Sequence, residues 1–357
     1  MRTDSSRPTP VKSALAEAVG QMRADDDMLE VLTAFASLDP DAIEMIDADA
    51  ARRNPTPADA VKRVLEQQGR PTDPELLIPG IRTRDFSIPG PAGPLEARLY
   101  LPEGGGPFPV VLYFHGGGWV IADKDVYDGG ARALAKSAQA AVVSVDYRLA
   151  PEHPFPAAWD DALAAYKWLL GNPAKVDGDG GRIALAGESA GGNLAVATAI
   201  AARDAKLPMP EHVLAVYPVA QTDLDTESYL ENSIAVPLNR PMMKWFFGHV
   251  TRSRQDELDP RLRLIDADLE GLPPVTIISA HLDPLRSDGA KLADALKDAG
   301  VDVERRDYEG VVHDFFGMGA VVAKAREAMA YAGERLRATR LGAAAAPTAQ
   351  TIAERLQ

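Results

Sequence analysis

The chain of 357 residues contains no cysteine, and this absence excludes disulfide bonds, thiolate metal ligands and a cysteine nucleophile. Its N-terminus also lacks an apolar run long enough for a signal peptide or a membrane span, so we expect a cytoplasmic protein without stable membrane association. Positive charge is scarce, since 38 Lys and Arg stand against 52 Asp and Glu and give a net charge of −14. The electrostatic field of a protein with this negative charge repels phosphate backbones, which argues against a nucleic-acid partner.

Hydrophobic residues make up 46% of the chain, enough for a large core. Residues 1–75 carry two short apolar stripes at helical spacing, joined by proline-rich stretches, and we interpret them as an N-terminal helical segment. Thr56 and Asp59 are typical of a helix start, and Gly69 is typical of a helix end. The acidic run at 25–27 is expected to be a solvated helix start.

From residue 83 the pattern changes to strands. TRDFSIP and LEARLYLP alternate at period two, as antiparallel strands at a sheet edge do. Continuous apolar runs follow, with helical patterns between them, and predict a mostly parallel sheet in an α/β fold: VVLYF (110–114), AVVSV (141–145), RIALAG (182–187), VLAVYP (213–218) and TIISA (276–280). We assign residues 76–218 and 263–340 to this core, 219–262 to an insertion, and 341–357 to a low-complexity tail.

GESAG (187–191) joins the strand RIALAG to the helical pattern NLAVATAIAAR, and this strand-to-helix turn is where a nucleophilic serine is held in hydrolases. Ser189 is therefore the candidate nucleophile. It needs a base, and His313 follows the last expected strand (301–308), so it lies at the same sheet edge as Ser189. His115 is better explained by the structure of its loop.

An orienting carboxylate is expected beside the histidine. Asp283 follows the run TIISA and completes the order Ser189, Asp283, His313, in which α/β-hydrolases carry nucleophile, acid and base. Asp288 and Asp314 are the alternatives; we expect Asp288, at the start of a helix, to be a helix-dipole or cap residue. Trp119, Tyr217 and His281 are candidate pocket walls, together with the aromatic cluster at 245–247.

The glycine run in FHGGGW (114–119) follows a strand, and it allows backbone N–H groups to approach a substrate oxygen. Gly117, Gly118 and Ala190 are the expected oxyanion donors. A phosphate-binding loop is disfavoured because the required G-K-[ST] or G-x-G-x-x-G continuation is missing. DGDG (177–180) resembles part of a calcium loop but lacks the other ligands, so no metal site is expected.

Five motifs together resemble the hormone-sensitive-lipase-like family of α/β-hydrolases, the bacterial family IV esterases: HGGGW (115–119), DYRLAPEHPFPAA (146–158), GESAGGN (187–193), DPLRSDG (283–289) and VVHDF (311–315). The resemblance spans about residues 80–320. Members commonly carry Asp or Thr where Glu188 stands, and we interpret Glu188 as structural.

The resemblance implies an α/β-hydrolase fold with an eight-stranded, mostly parallel sheet, helices on both faces, and a cap made of the N-terminal helices and residues 219–262. It implies hydrolysis of small esters with short to medium acyl chains, without a metal or other cofactor. It also implies a possible homodimer across the final strand, residues 301–308. The open alternatives are a lactonase, an amidase or a small-molecule deacetylase on the same site, and a ligand-binding protein without activity.

Overall fold

The computed structural model describes residues 23–339 and contains one eight-stranded sheet in the order β1-β2-β4-β3-β5-β6-β7-β8. The two antiparallel pairs are β1 with β2 and β2 with β4, and all other pairs are parallel. The strands are β1 Ile81–Gly90, β2 Gly93–Pro102, β3 Phe108–Phe114, β4 Ala141–Val145, β5 Gly178–Glu188, β6 Val213–Val216, β7 Val275–Leu282 and β8 Val303–Val312. The predicted fold class, including the antiparallel edge pair, is confirmed.

Twelve α-helices surround the sheet in the described part of the chain. They are α1 Asp26–Ser37, α2 Ala48–Ala51, α3 Pro57–Gln67, α4 Pro74–Leu77, α5 Asp128–Ala138, α6 Ala157–Gly171, α7 Ala190–Asp204, α8 Glu227–Glu231, α9 Arg240–Val250, α10 Arg254–Glu257, α11 Arg286–Asp298 and α12 Ala323–Arg337. Successive residues of each central strand point to opposite faces of the sheet, and each face has its own apolar core. One core packs against α6, α7, α9 and α11, and the other packs against α1, α3, α5 and α12.

The start of α3 shows how local sequence sets a helix boundary. Thr56 accepts a hydrogen bond from the Asp59 N–H, and the Asp59 carboxylate accepts one from the Thr56 N–H, so the pair forms a capping box. Pro57 occupies the first helical turn, where its missing N–H costs nothing. Gly69 has φ +65° just after the helix, in the left-handed region that glycine tolerates. The predicted start and end of this helix agree with the structure.

The strand order reverses around β3, because the chain leaves β3 toward β4 and then returns to β5 on the other side. Ligands of open α/β sheets bind in the crevice beyond the carboxyl ends of strands at such a point. The loop after β3, the turn after β5, and the loops after β7 and β8 all emerge at this edge. Every residue predicted for the triad or the oxyanion hole lies on one of these four connections or at the first residue of α7.

Helices α8, α9 and α10 lie between β6 and β7, in the segment predicted as an insertion. The Trp245 indole N–H of α9 donates to the Ile46 carbonyl at 3.0 Å, which joins this insertion to the N-terminal segment. The Arg52 guanidinium also ties the N-terminal segment to the core through the Val120 and Ala150 carbonyls. The division into cap and core stays a prediction. Residues 1–22 and the predicted tail lie outside the described residues.

Within residues 23–339, no helix combines the length and the apolar character needed to span a bilayer.

Candidate active site

Ser189 stands alone between a strand and a helix, since β5 ends at Glu188 and α7 begins at Ala190. Its backbone has φ 58° and ψ −117°, a conformation that side-chain-bearing residues rarely adopt. The turn is tight enough that a Cβ on Gly191 would overlap the carbonyl oxygens of Phe114 and His115. The backbone N–H of Ser189 donates a hydrogen bond to the Val216 carbonyl at 2.8 Å. The strained turn lifts the hydroxyl above the sheet edge, as a nucleophile elbow does.

The structure brings Ser189, His313 and Asp283 into one hydrogen-bonded chain. His313 Nε2 lies 2.9 Å from Ser189 Oγ, and His313 Nδ1 lies 2.7 Å from Asp283 Oδ2. The other Asp283 oxygen accepts the Leu285 N–H at 2.9 Å, which fixes the carboxylate. An ionised Asp283 requires the proton on Nδ1, so Nε2 is left to accept the serine proton. All three side chains are buried.

The charge of the site favours a basic histidine. Burial by itself would lower the pKa of His313, but the negative charges of Asp283, Asp314 and Glu188 outweigh it and leave the pKa above 6.5. Asp314 adjoins His313 in sequence, and its Oδ1 is 3.9 Å from Nε2. It does not contact Nδ1 as Asp283 does, so the orienting position belongs to Asp283 by geometry.

The glycine loop after β3 lies beside this chain. Gly117 has φ +97° and Gly118 has φ +59°, and the N–H groups of both find no backbone acceptor within residues 23–339. The Ala190 N–H opens α7 and has no intrahelical partner. His115 holds the loop, since its ring stacks on Tyr147 at 4.3 Å and its Nδ1 lies 2.7 Å from the Gly116 carbonyl. Two free donors and a helix N-terminus therefore lie near Ser189.

A cavity of about 530 Å³ opens over Ser189, and its volume lies in the range of about 300–1,000 Å³ usual for small-molecule sites. The lining is mainly apolar and comes from both segments predicted to form the cap. The N-terminal segment supplies Phe35, Pro40, Ile43 and Pro57, and the insertion supplies Ile234, Val236, Pro237, Met242, Met243 and Phe246. Of these residues, the sequence had pointed only to Phe246, through the aromatic cluster at 245–247. Phe35 and Ile43 were missed because they lie more than 140 residues from Ser189 in sequence.

Of the residues expected as pocket walls, Phe246 lines this cavity, whereas Trp119, Tyr217 and His281 do not. Trp119 has φ +60° and turns into the core, where it packs on Trp159 at 5.1 Å and on Phe247 at 6.3 Å. Tyr217 lies beneath the site with its ring 4.5 Å from that of His313. His281 lies away from the cavity and contacts Asp307 and Arg286.

Asp288 stands in the first turn of α11, as expected of a helix-dipole residue, but it does not cap this helix. It is fully buried and accepts the Ala220 N–H at 3.0 Å and the Gln221 side-chain amide at 2.9 Å. Burial raises the pKa of Asp288 to about 7. Further bonds run beside it, from the Ser228 hydroxyl to the Pro284 carbonyl and from the Ser287 N–H to the Ser228 hydroxyl at 3.0 Å. We call these four hydrogen bonds the Asp288 seam. They join the insertion to the segment that carries Asp283.

Glu188 points away from Ser189 Oγ, as its structural interpretation requires. Its carboxylate accepts hydrogen bonds from the hydroxyls of Tyr113 and Tyr217, in a fully enclosed position. Burial raises the pKa of Glu188 to about 7, and the two hydroxyls oppose that rise. Since the Tyr217 ring contacts His313, the glutamate supports the histidine from below.

No group of three or more His, Asp or Glu side chains suited to a metal ion occurs between residues 23 and 339. The last three residues of the DGDG stretch instead begin β5, with Gly178 packed against Val110.

Comparison with known proteins agrees with this architecture. Residues 111–317 match a family described as having the alpha/beta hydrolase fold. Carboxylesterase NlhH of Mycobacterium tuberculosis is 41% identical over 280 residues, covering 76% of this chain and 88% of that protein. Esterase LipI of the same organism is 40% identical over 302 residues, covering 82% and 92%.

Solved structures give the same result. An esterase of Pyrobaculum calidifontis superposes with a TM-score of 0.76 at 37% identity, covering 85% of this chain and 97% of that one. The metagenomic carboxylesterase EstE1 has a TM-score of 0.74 at 34% identity, covering 82% and 98%. The chain therefore belongs to the α/β-hydrolase family, within its hormone-sensitive-lipase-like group.

Proposed function

We propose that this carboxylesterase hydrolyses esters of short to medium acyl chains through an acyl-enzyme formed on Ser189. The hydrogen-bonded chain from Ser189 through His313 to Asp283 carries the proposal, with distances of 2.9 and 2.7 Å. Proton transfer across such distances is the geometry that general-base activation of a serine requires. The names of the relatives support the reaction class.

In the first half-reaction, Ser189 Oγ attacks the ester carbonyl carbon while its proton passes to His313 Nε2. The carbonyl oxygen becomes negative in the tetrahedral intermediate, and the N–H groups of Gly117, Gly118 and Ala190 are positioned to stabilise it. The imidazolium then protonates the leaving alcohol oxygen as the C–O bond breaks. Asp283 holds the Nδ1–H tautomer and stabilises the transient positive charge.

In the second half-reaction, His313 takes a proton from water, and the hydroxyl oxygen attacks the acyl carbon. The second tetrahedral intermediate uses the same donors, and its collapse returns the proton to Ser189 and releases the acid. The 530 Å³ cavity with its apolar walls suits a small substrate rather than a lipid surface.

The test is turnover of p-nitrophenyl esters from acetate to palmitate by the wild type, by Ser189→Ala and by Ser87→Ala. Ser87 is exposed on β1 and does not line the cavity, so it is the matched control. We expect an optimum at short or medium chains, loss of activity on the order of 10⁴-fold or more in Ser189→Ala, and near-wild-type turnover in the control. Undiminished turnover by Ser189→Ala would exclude the proposal. p-Nitroanilides and lactones in parallel test the amidase and lactonase alternatives.

We also propose a homodimer through β8. The strand lies at the end of the sheet order, so its outer edge is available for pairing with a second copy. Light scattering after size exclusion should give twice the 38.2 kDa chain mass; a monomer at micromolar concentration would contradict it. The cytoplasmic location stays a prediction of the sequence.

A further inference from the structure

A second cavity of about 460 Å³ lies next to the one over Ser189. It is enclosed by α3 and α4 on one side and by α5, α12 and the loop after β8 on the other. Its walls are mainly apolar, with Val61, Ala133, Phe316 and Met329 among them. Its volume is again that of a small-molecule site, and the ester hydrolysis described above does not use it.

The two cavities meet at one hydrogen-bonded pair. The Tyr127 hydroxyl donates to Asp314 Oδ1 at 2.9 Å, and both residues line both cavities. Glu188 lines the second cavity but not the first, so the inner end of the second cavity carries two acidic groups beside His313, the buried Glu188 and the half-buried Asp314. A ligand with a negative charge would therefore not place that charge at the inner end.

The other side of the cavity has the opposite charge. Lys62 of α3, Lys136 of α5 and Arg326 of α12 all line it, and all three are exposed. Lys136 Nζ donates to the Pro79 carbonyl at 3.0 Å and Arg326 to the Gly319 carbonyl at 2.8 Å, and both contacts are to neutral groups. Three cations from three helices converge on one opening of a chain whose net charge is −14. We call this group the cationic rim.

We propose that the second cavity binds an amphiphilic carboxylate, a fatty acid whose head group pairs with the cationic rim and whose alkyl tail runs between the apolar walls toward Tyr127. The positive charge of the cationic rim favours the carboxylate head group, and the apolar walls favour the alkyl tail. Fatty acids are also the class of acid that esterases release from acyl esters, but the binding needs no esterase activity. The binding itself is independent of the assignment of Ser189, and only the blocking step of the test below uses the reactivity of Ser189.

Calorimetric titration of dodecanoate into the full chain tests the proposal. Ser189 is first blocked by diethyl p-nitrophenyl phosphate, so that the first cavity carries a diethylphosphoryl group. We expect one dodecanoate per chain, with affinity rising about fourfold for each methylene between octanoate and dodecanoate, as burial of about 0.8 kcal/mol per methylene gives. Dodecanol should bind at least fivefold more weakly, because it carries no charge for the rim.

Two variants locate the site. Lys62→Glu should weaken dodecanoate binding about fivefold, while Arg63→Glu, its neighbour on α3 outside the cavity, should leave binding unchanged. Ala133→Leu should fill part of the cavity and weaken binding of dodecanoate more than that of octanoate. A thermal melt of each variant separates lost binding from lost folding.

Three results would overturn the proposal. The first is loss of binding when Ser189 is blocked, which would place dodecanoate in the first cavity. The second is equal weakening by Lys62→Glu and Arg63→Glu, which would indicate only a general effect of charge. The third is binding that appears only after residues 340–357 are removed, which would assign the cavity to the chain's own tail.

Discussion

Replacing Gly118 with alanine tests the assignment of the oxyanion loop. The residue has φ +59°, and a Cβ there would lie under 3.0 Å from three ring atoms of Phe246. The left-handed conformation costs an L-residue about 1–2 kcal/mol, and overpacking costs about 1–3 kcal/mol more. The loop relieves this strain by moving, which turns the Gly118 N–H away from the position of the oxyanion.

Loss of one such donor lowers kcat by about 10²- to 10³-fold, and we expect this range for Gly118→Ala on p-nitrophenyl acetate. The change in KM should be small, because the ground-state ester carbonyl uses the donor only weakly. The double variant Gly118→Ala with Phe246→Ala removes the overlap. Its kcat should be at least tenfold higher than that of Gly118→Ala, once the effect of Phe246→Ala alone on kcat has been subtracted.

Gly248→Ala is the matched control. Gly248 is exposed on α9, has no atom within 4 Å of the point where an alanine Cβ would lie, and belongs to the helix that carries Phe246. Alanine there should leave kcat unchanged and stabilise the helix by about 1 kcal/mol. A Gly118→Ala enzyme that melts like the wild type and keeps kcat within threefold would refute the reasoning.

Three further predictions follow from contacts in and near the site. Asp283→Asn should lower kcat roughly 10⁴-fold with little change in melting temperature, because Nδ1 loses the acceptor that fixes its proton; a loss below tenfold in steady-state assays would contradict this role. Activity should fall as the pH drops through the raised pKa of His313, and Asp314→Asn should move this acidic limb of kcat/KM to lower pH, because one of the negative charges that raise the pKa of His313 is removed. An acidic limb that stays in place or moves upward would show that Asp314 does not act on His313. Arg148→Ala should cost about 3–5 kcal/mol in urea unfolding, because the fully buried Asp161 loses its guanidinium partner at 2.7 Å; a loss under 1 kcal/mol would mean that water replaces the arginine.

Most of the fold was predictable because its signals are local. The run AVVSV coincides with β4, and the turn at Ser189 has glycine at each position where a Cβ would collide with the backbone. The common location of Ser189, Asp283 and His313 followed from one rule, that parallel strands end at the same edge of the sheet.

The errors concern the direction in which side chains point after a strand ends. Trp119 was expected in the pocket, but its positive φ reverses the chain and buries the indole. His281 precedes Asp283 by two residues, yet a register shift between Ala280 and Leu282 separates their directions. No pattern in one sequence reports either event.

The second cavity was equally invisible to sequence analysis. Its walls come from α3, α5 and α12, and no single segment has the periodicity of a binding site. Lys62, Lys136 and Arg326 are each typical of an ordinary surface cation, and only tertiary structure brings them to one opening.

The Asp288 seam has a consequence for recombination between members of this family. Ala220, Gln221 and Ser228 bond directly to the chain segment 284–288. A foreign insertion grafted between β6 and β7 without an amide at 221 and a hydroxyl at 228 would leave the buried Asp288 and the Pro284 carbonyl without these side-chain donors. The same graft would loosen the turn that holds Asp283 against His313. Chimeras should therefore exchange the insertion and the start of α11 as a single unit.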